Sequence, residues 1–238
     1  MEKYIQSYKN DGFVVIPGIE FLTVEEHSEL LSISKEHTSN IDKIDRWRFN
    51  SNGTPNKIEG ACDFEPKFLH LAKNPYLVKF AQSISKIGED VDCYISKFFP
   101  QTKGGESTLW HQDNYYFNGN SEDIVSCAIY LTDTSKENGC LRVAKKSHIG
   151  GKILEHNVES GIKGIRWIKE SVINEYEIVD LIHKGPYAVF FDINIAHGCY
   201  QNQTHKNRYS LAWEYISSYN NDVWKDDLHP QCDRNKVT

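Results

Sequence analysis

Ile124-Val125-Ser126-Cys127-Ala128-Ile129-Tyr130-Leu131, then the pair Asn138-Gly139, then Cys140-Leu141-Arg142-Val143-Ala144 follow one another closely in the chain. The first run is apolar with β-branched residues, Asn-Gly is a turn signal, and the second run is again β-like. Strand, turn and strand at this spacing fit a sandwich or jelly roll, in which successive side chains alternate between two faces.

The β character extends in both directions. Upstream, Val91-Asp92-Cys93-Tyr94-Ile95-Ser96-Lys97-Phe98-Phe99 alternates so that Val91, Cys93, Ile95, Lys97 and Phe99 fall on one face. Lys97 interrupts that apolar face. Either its ammonium snorkels to water at the strand end or it points inward, where it needs an anion such as a cofactor carboxylate. Downstream come Ile178-Val179-Asp180-Leu181, a turn at Lys184-Gly185-Pro186 and Tyr187-Ala188-Val189-Phe190-Phe191. Between Gly150 and Glu175 a glycine-containing segment around Ile165-Arg166-Trp167-Ile168 reads as an insertion, either a lid or a surface excursion.

Ahead of these strands the pattern turns helical. Asp11-Gly12 followed by Phe13-Val14-Val15-Ile16 and stopped by Pro17-Gly18 predicts a short buried strand. Thr23 with Glu26 forms a capping box that opens a helix through Val24, Leu30, Leu31 and Ile33, ending near Lys35. Ile41 to Cys62 has no periodicity and reads as a long loop carrying Arg46, Trp47 and Arg48. Asn74-Pro75 supplies an N-cap and first-turn pair for a helix through Leu77, Val78, Ala81 and Ile84. The expected fold class is mainly β with flanking helices (α+β), as one domain over 1–238. Its helical part covers about 20–88 and its β core about 89–216.

The 238 residues carry a net charge of -6, and no basic run exceeds Lys145-Lys146. A nucleic-acid partner needs a Lys/Arg-rich face, so a small-molecule substrate is expected instead. Met1-Glu2-Lys3-Tyr4-Ile5-Gln6 does not resemble a signal peptide, and no apolar run approaches the ~20 residues of a spanning helix. A cytoplasmic protein without a membrane partner is the expectation. The six cysteines, Cys62, Cys93, Cys127, Cys140, Cys199 and Cys232, form no C-x-x-C pair and read as free thiols.

Within Trp110-His111-Gln112-Asp113-Asn114-Tyr115-Tyr116-Phe117, an extended backbone would place His111 and Asp113 on one side and Gln112 on the other. The pair can offer a nitrogen and an oxygen to one metal ion; a surface hydrogen-bonded pair has the same composition. His197, after the strand at Tyr187, is the best third ligand. Beyond it, Arg208 and Ser210 alternate to one face of Arg208-Tyr209-Ser210-Leu211-Ala212-Trp213-Glu214-Tyr215, opposite Tyr209, Leu211 and Trp213. A guanidinium with two parallel donors and a nearby hydroxyl would hold a carboxylate end-on.

His-x-Asp, a distal His and Arg-x-Ser together resemble the phytanoyl-CoA dioxygenase family of Fe(II)/2-oxoglutarate-dependent oxygenases. So do Asp11-Gly12-Phe13-Val14-Val15, Glu137-Asn138-Gly139-Cys140 and Ser147-His148. The resemblance implies a double-stranded β-helix (jelly-roll, cupin-like) core with Fe(II) held by His111, Asp113 and His197, the two-His-one-carboxylate arrangement. It implies 2-oxoglutarate as cosubstrate, its far carboxylate on Arg208 and Ser210 with a further contact from Lys97, and O2 at the remaining position. The activity implied is hydroxylation at an unactivated C-H bond by an iron-bound oxidant, with release of succinate and CO2. Asp113 favours hydroxylation, because halogenating relatives lack the carboxylate, with desaturation or ring closure as the other outcomes the resemblance allows. Two other readings of the same residues are a cupin-type metal enzyme without 2-oxoglutarate and a catalytically silent small-molecule-binding barrel. Candidate substrate contacts are Tyr115, Tyr116, Arg46 and Arg166. The chain departs from the family pattern at Lys145-Lys146-Ser147-His148, where Pro-Gly-Ser-His is common, and at Ala128, where a Trp is frequent.

Overall fold

The computed structural model describes residues 1–117, 122–158, 166–220 and 233–238. Strands run at Phe13–Pro17 (β1), Trp47–Phe49 (β2), Pro55–Glu59 (β3), Val91–Phe99 (β4), Thr108–His111 (β5), Ile124–Tyr130 (β6), Leu141–Lys145 (β7), His156–Val158 (β8), Arg166–Ile168 (β9), Glu177–Asp180 (β10), Tyr187–Asp192 (β11), His197–Cys199 (β12), Ser210–Ser217 (β13) and Arg234–Lys236 (β14). A large sheet has the order β1-β11-β6-β13-β4-β3-β2, with β14 also on β4. A small sheet has the order β10-β7-β12-β5, and β8 pairs with β9 as a ribbon.

Period-two alternation sets the layers. Cys127, Ile129, Phe190, Leu211, Trp213 and Tyr215 leave one face of the large sheet and bury against the helices. Ala128, Tyr130, Val189 and Phe191 leave the other face and pack against Leu141 and Val143 of the small sheet. The result is a mainly β jelly roll of two facing antiparallel sheets, with helices covering the outer face of the larger one.

The helix Val24–Ser39 starts at the anticipated capping box, with Thr23 and Glu26 bonding reciprocally. It runs past the apolar stripe to Ser39, and the hydroxyls of Ser34, Thr38 and Ser39 there donate to carbonyls one turn back. Asn74 accepts from the Tyr76 and Leu77 amides at the head of Pro75–Ile84, and Phe80 of that helix packs edge-on against Phe190 at 4.9 Å. A helix at Glu2–Asp11 precedes the first strand and is closed by Gly12 in the left-handed conformation (φ 84°).

The segment expected to be a loop from Ile41 to Cys62 is instead largely a hairpin. β2 pairs with β3, and β3 joins the large sheet with Ile58 opposite Phe98 and Glu59 opposite Lys97. Trp47 and Ile58 are buried, so long-range pairing and aromatic packing on Phe98 stabilise strands too short to show a period.

A second departure concerns Lys97. β4 is bulged, its register against β13 shifting between the Lys97–Ala212 and Tyr94–Glu214 pairs, and Ile95 there has φ 49°. The Ile95 and Ser96 amides bond to Asp233, outside the ladder. The extra residue reverses the alternation: Val91 and Cys93 face the helices, as does Phe98, while Lys97 and Phe99 face inward with Ser210. Lys97 therefore does not share the face of Val91 and Cys93.

Gly161 and Gly164 of the 150–175 segment lie outside the described residues, as does Cys232. The other five cysteines are buried free thiols. Among the described residues no helix is long and apolar enough to cross a membrane.

Candidate active site

Between the two sheets lies a cavity of about 710 Å³. His111 ends β5 and His197 begins β12, and the two residues are direct register partners in the small sheet. Their rings stand 4.3 Å apart. Asp113 is not on the strand as anticipated: the chain leaves β5 and turns through a 3-10 segment, Asp113–Tyr115, which brings the carboxylate back over the imidazoles. Asp113 Oδ1 lies 3.6 Å from His111 Nε2 and 3.7 Å from His197 Nε2. One ligand atom from each residue falls within 4.8 Å of the others.

Neighbouring groups fix which atoms face inward. Nδ1 of His111 bonds the Leu109 carbonyl at 2.8 Å and Nδ1 of His197 the Ile195 carbonyl at 3.1 Å. A carbonyl only accepts, so each Nδ1 carries the proton and each Nε2 keeps its lone pair. The Ser126 hydroxyl donates to Asp113 Oδ2 at 2.8 Å, leaving Oδ1 toward the rings. Burial and the neighbouring His197 push His111 down to about 4, so the imidazole is neutral near pH 7. Burial acts to raise Asp113, but His197, His111 and Lys97 hold it below its ordinary value.

Gln112 faces away from the cavity, fully buried. Its amide donates to the Asn194 and Lys152 carbonyls and accepts from the Leu154 amide. The side chain between His111 and Asp113 thereby clamps their segment to the loop that precedes His197. That loop is also held by Ser147, whose hydroxyl accepts from the Ala196 amide at 2.8 Å.

Arg208 lies on the cavity wall, 3% exposed, with Nη1 donating to Ser210 Oγ at 3.2 Å and the guanidinium 5.1 Å from the Tyr130 ring centre. Its Nε has no partner among the described residues. Lys97 lines the same cavity and pairs with Glu214 at 3.6 Å. Tyr116 and Arg166 are on the wall too. Tyr115 and Arg46 are not wall residues: Tyr115 packs on the His156 ring at 4.2 Å, and Arg46 donates to the Gly60 carbonyl and faces Asp63. Ser126 and Glu214 belong to the site and were not singled out from sequence. Glu214 continues the inward alternation of Ser210 and Ala212, so the same period that selected Ser210 reaches it.

A family model described as phytanoyl-CoA dioxygenase (PhyH) matches residues 8–210, a span that contains the triad and Arg208. The chain belongs to the phytanoyl-CoA dioxygenase family. It is 26% identical over 187 residues to a phytanoyl-CoA dioxygenase domain-containing protein 1 homolog of Dictyostelium discoideum, covering 74% of this chain and 66% of that one. It is 33% identical over 76 residues to a probable alpha-ketoglutarate-dependent hypophosphite dioxygenase of Stutzerimonas stutzeri, 32% of this chain and 26% of that protein. Against the human peroxisomal phytanoyl-CoA dioxygenase it is 30% identical over 113 residues, 45% and 33% of the two chains. The chain thus spans about two thirds of the first relative's length and about a third or less of the others'.

The fold is shared with solved structures. EctD from S. alaskensis, crystallised with 2-oxoglutarate and 5-hydroxyectoine, has a TM-score of 0.75 at 18% identity, covering 91% of this chain and 76% of that one. The epimerase SnoN in complex with Fe3+, alpha ketoglutarate and nogalamycin RO has a TM-score of 0.74 at 17% identity, covering 91% and 83%. Two departures from the family pattern acquire structural meaning. Lys146, where a glycine is common, has φ 68°. Ala128, where a tryptophan is frequent, lies on the cavity wall and leaves that volume open.

Proposed function

We propose that this family member is an Fe(II)- and 2-oxoglutarate-dependent dioxygenase that hydroxylates a small molecule at an unactivated C-H bond. The observation that carries the reading is that one cavity holds both the converging His111 Nε2, Asp113 Oδ1 and His197 Nε2 atoms and a buried Arg208 without a carboxylate partner among the described residues. Two neutral imidazoles and one carboxylate suit a facially bound Fe(II) that keeps positions for other ligands. A buried guanidinium suits the far carboxylate of a dicarboxylic acid.

In this reading His111, Asp113 and His197 hold the iron. Arg208 and Ser210 bind the remote carboxylate of 2-oxoglutarate, and Lys97 adds positive charge nearby. Iron, 2-oxoglutarate and O2 supply the oxidising chemistry: one oxygen atom enters the substrate as hydroxyl and the other enters succinate, with loss of CO2. The protein's part is to orient the partners in a cavity walled on one side by Tyr116 and Phe117, with Arg166 on the same wall as the candidate for an anionic substrate group. A cupin-type enzyme without 2-oxoglutarate would leave the Arg208 charge buried without a purpose. We further take the chain as one domain over 1–238. We place the protein in the cytoplasm, since five buried thiols without a disulfide suit a reducing compartment.

The decisive measurement is succinate release in the presence of candidate small molecules. It should require both Fe(II) and 2-oxoglutarate and vanish in Asp113→Ala. Turnover that persists without 2-oxoglutarate would sink the reading.

A further inference from the structure

The inward faces of β3, β4 and β13 carry a row of charges. Glu59 is held by two cations, Arg48 Nε at 2.8 Å and Lys57 Nζ at 3.1 Å. Directly across from Glu59 is Lys97, which reaches Glu214 Oε1 at 3.6 Å. Glu214 in turn stands opposite Ser126, the residue whose hydroxyl holds Asp113. The row therefore ends one strand away from the candidate metal site. Its last member is only half satisfied: Glu214 is 3% exposed and lines the cavity, and its Oε2 has no hydrogen-bond partner among the described residues.

An unsatisfied buried carboxylate oxygen costs free energy unless a donor reaches it. A purely structural ion pair would not need to leave one. The surroundings state what would satisfy it. Ile95 and Phe117 line the same cavity as Glu214, so a ligand there has an apolar body. Once the carboxyl is ionised, above about pH 8, Oε2 only accepts, so that body carries a donor. Burial also pushes the Glu214 carboxyl up to about 8 in spite of Lys97, consistent with a group that has fewer donors than it can use.

We propose that Glu214 is a substrate-selecting residue, its Oε2 accepting a hydrogen bond from an amine or hydroxyl on an otherwise apolar small molecule and so placing the neighbouring carbons at the metal site. This assignment rests on the oxygenase reading for what happens next, but not for binding. It joins two cavity features that catalysis alone leaves unused, the end of the charge row and the apolar wall beside it.

The test uses probes sharing one carbon skeleton: cyclohexanol, cyclohexylamine and methoxycyclohexane, the last lacking a donor. Binding is followed by thermal shift on the metal-free protein. In parallel, on protein loaded anaerobically with Fe(II) and 2-oxoglutarate, it is followed by the change in the visible absorption of the loaded centre. Absence of that absorption would remove the oxygenase reading, while the metal-free titration still tests Glu214. At pH 9, where the Glu214 carboxyl is ionised, the alcohol and the amine should bind about tenfold or more tighter than the ether, the worth of one hydrogen bond to a charged group. Glu214→Met should abolish both preferences, whereas Glu214→Gln, which keeps an acceptor without the charge, should restore the preference for the alcohol. Equal affinity for the three probes in the wild-type protein, or a preference that survives Glu214→Met, overturns the proposal. An amine bound merely through iron would survive in that variant.

Discussion

The Ser126 hydroxyl donates to Asp113 Oδ2 at 2.8 Å, and this contact decides which carboxylate oxygen faces the two imidazoles. Ser126 lies on β6 of the large sheet, whereas His111 and His197 lie on the small one, so the bond ties the three candidate ligands together across the two layers. Such outer partners orient ligands and typically govern metal affinity by about 10- to 100-fold. Ser126→Ala should therefore weaken Fe(II) binding by about that factor while His111 and His197 stay in place. Anaerobic metal titration of the two proteins measures it; equal affinities would show that Asp113 is oriented by its backbone alone.

Lys146 occupies left-handed backbone at φ 68° between Ala144, which bonds to the Ala196 carbonyl, and Ser147, which accepts from the Ala196 amide. That conformation costs an L-residue roughly 1–2 kcal/mol, partly offset in glycine by the larger entropy of the unfolded chain. Lys146 is exposed, so its side chain contributes little packing. Lys146→Gly should raise stability by about 0.5–1 kcal/mol, a rise in Tm of a few degrees at most for a chain of this length. A lower melting temperature would mean that the lysine side chain makes a contact worth more than the strain.

Local signals in the sequence locate local structure well, and the misses in the strands share one cause. Thr23 with Glu26 and Asn74 with Pro75 place two helix starts because capping involves residues within one turn. That His111, Asp113 and His197 share one cavity with Arg208 follows from residue types and an order that match a family pattern. By contrast, β2 and β3 exist through pairing with β4 and the packing of Trp47 on Phe98, contacts between segments far apart in the chain. The bulge that turns Lys97 inward depends on Asp233, near the end of the described chain, accepting from the Ile95 and Ser96 amides. A strict period of two across Val91–Phe99 has no means of registering a residue that far away. Ser126 was hidden for a simpler reason: a small polar residue inside an apolar run reads as tolerated polarity until its partner is known.

Glu214 provides a pH signature. An unfolded Glu carboxyl ionises near 4.5, whereas burial, with Asp113 adding to it and Lys97 opposing, holds the folded one protonated up to about 8. The native state then binds more protons than the unfolded state between those values, so stability is full below about 4.5 and is lost as pH rises toward 8. Glu214→Gln has no ionisation to suppress. It should match the wild-type protein to within about 1 kcal/mol at acid pH and exceed it by about 4 kcal/mol near pH 8. Urea melts of the metal-free proteins at the two pH values provide the comparison. A constant difference between them would show that Glu214 is ionised throughout, stabilised fully by Lys97.

Arg208 should separate stability from function. Its guanidinium is 3% exposed and meets a hydroxyl and the Tyr130 ring, with no carboxylate partner among the described residues and its Nε unsatisfied. Without a bound dicarboxylate the buried charge opposes folding, and an apolar side chain of similar length should be more stable by about 1–3 kcal/mol. With 2-oxoglutarate bound, the same guanidinium would form a buried, two-pronged ion pair whose loss costs about 2–5 kcal/mol. Arg208→Met should accordingly melt above the wild-type protein in the absence of 2-oxoglutarate, fail to gain stability when it is added with a redox-inert divalent metal, and show an affinity lower by about 100-fold or more. The wild-type protein should gain about 2.7 kcal/mol at a concentration 100 times the dissociation constant, so the two melting curves exchange order as 2-oxoglutarate is titrated. If Arg208→Met is less stable than wild type without the cosubstrate, the cation–π contact with Tyr130 and the bond to Ser210 stabilise the charge on their own. In that case the missing carboxylate would no longer be the reason for the arginine's position.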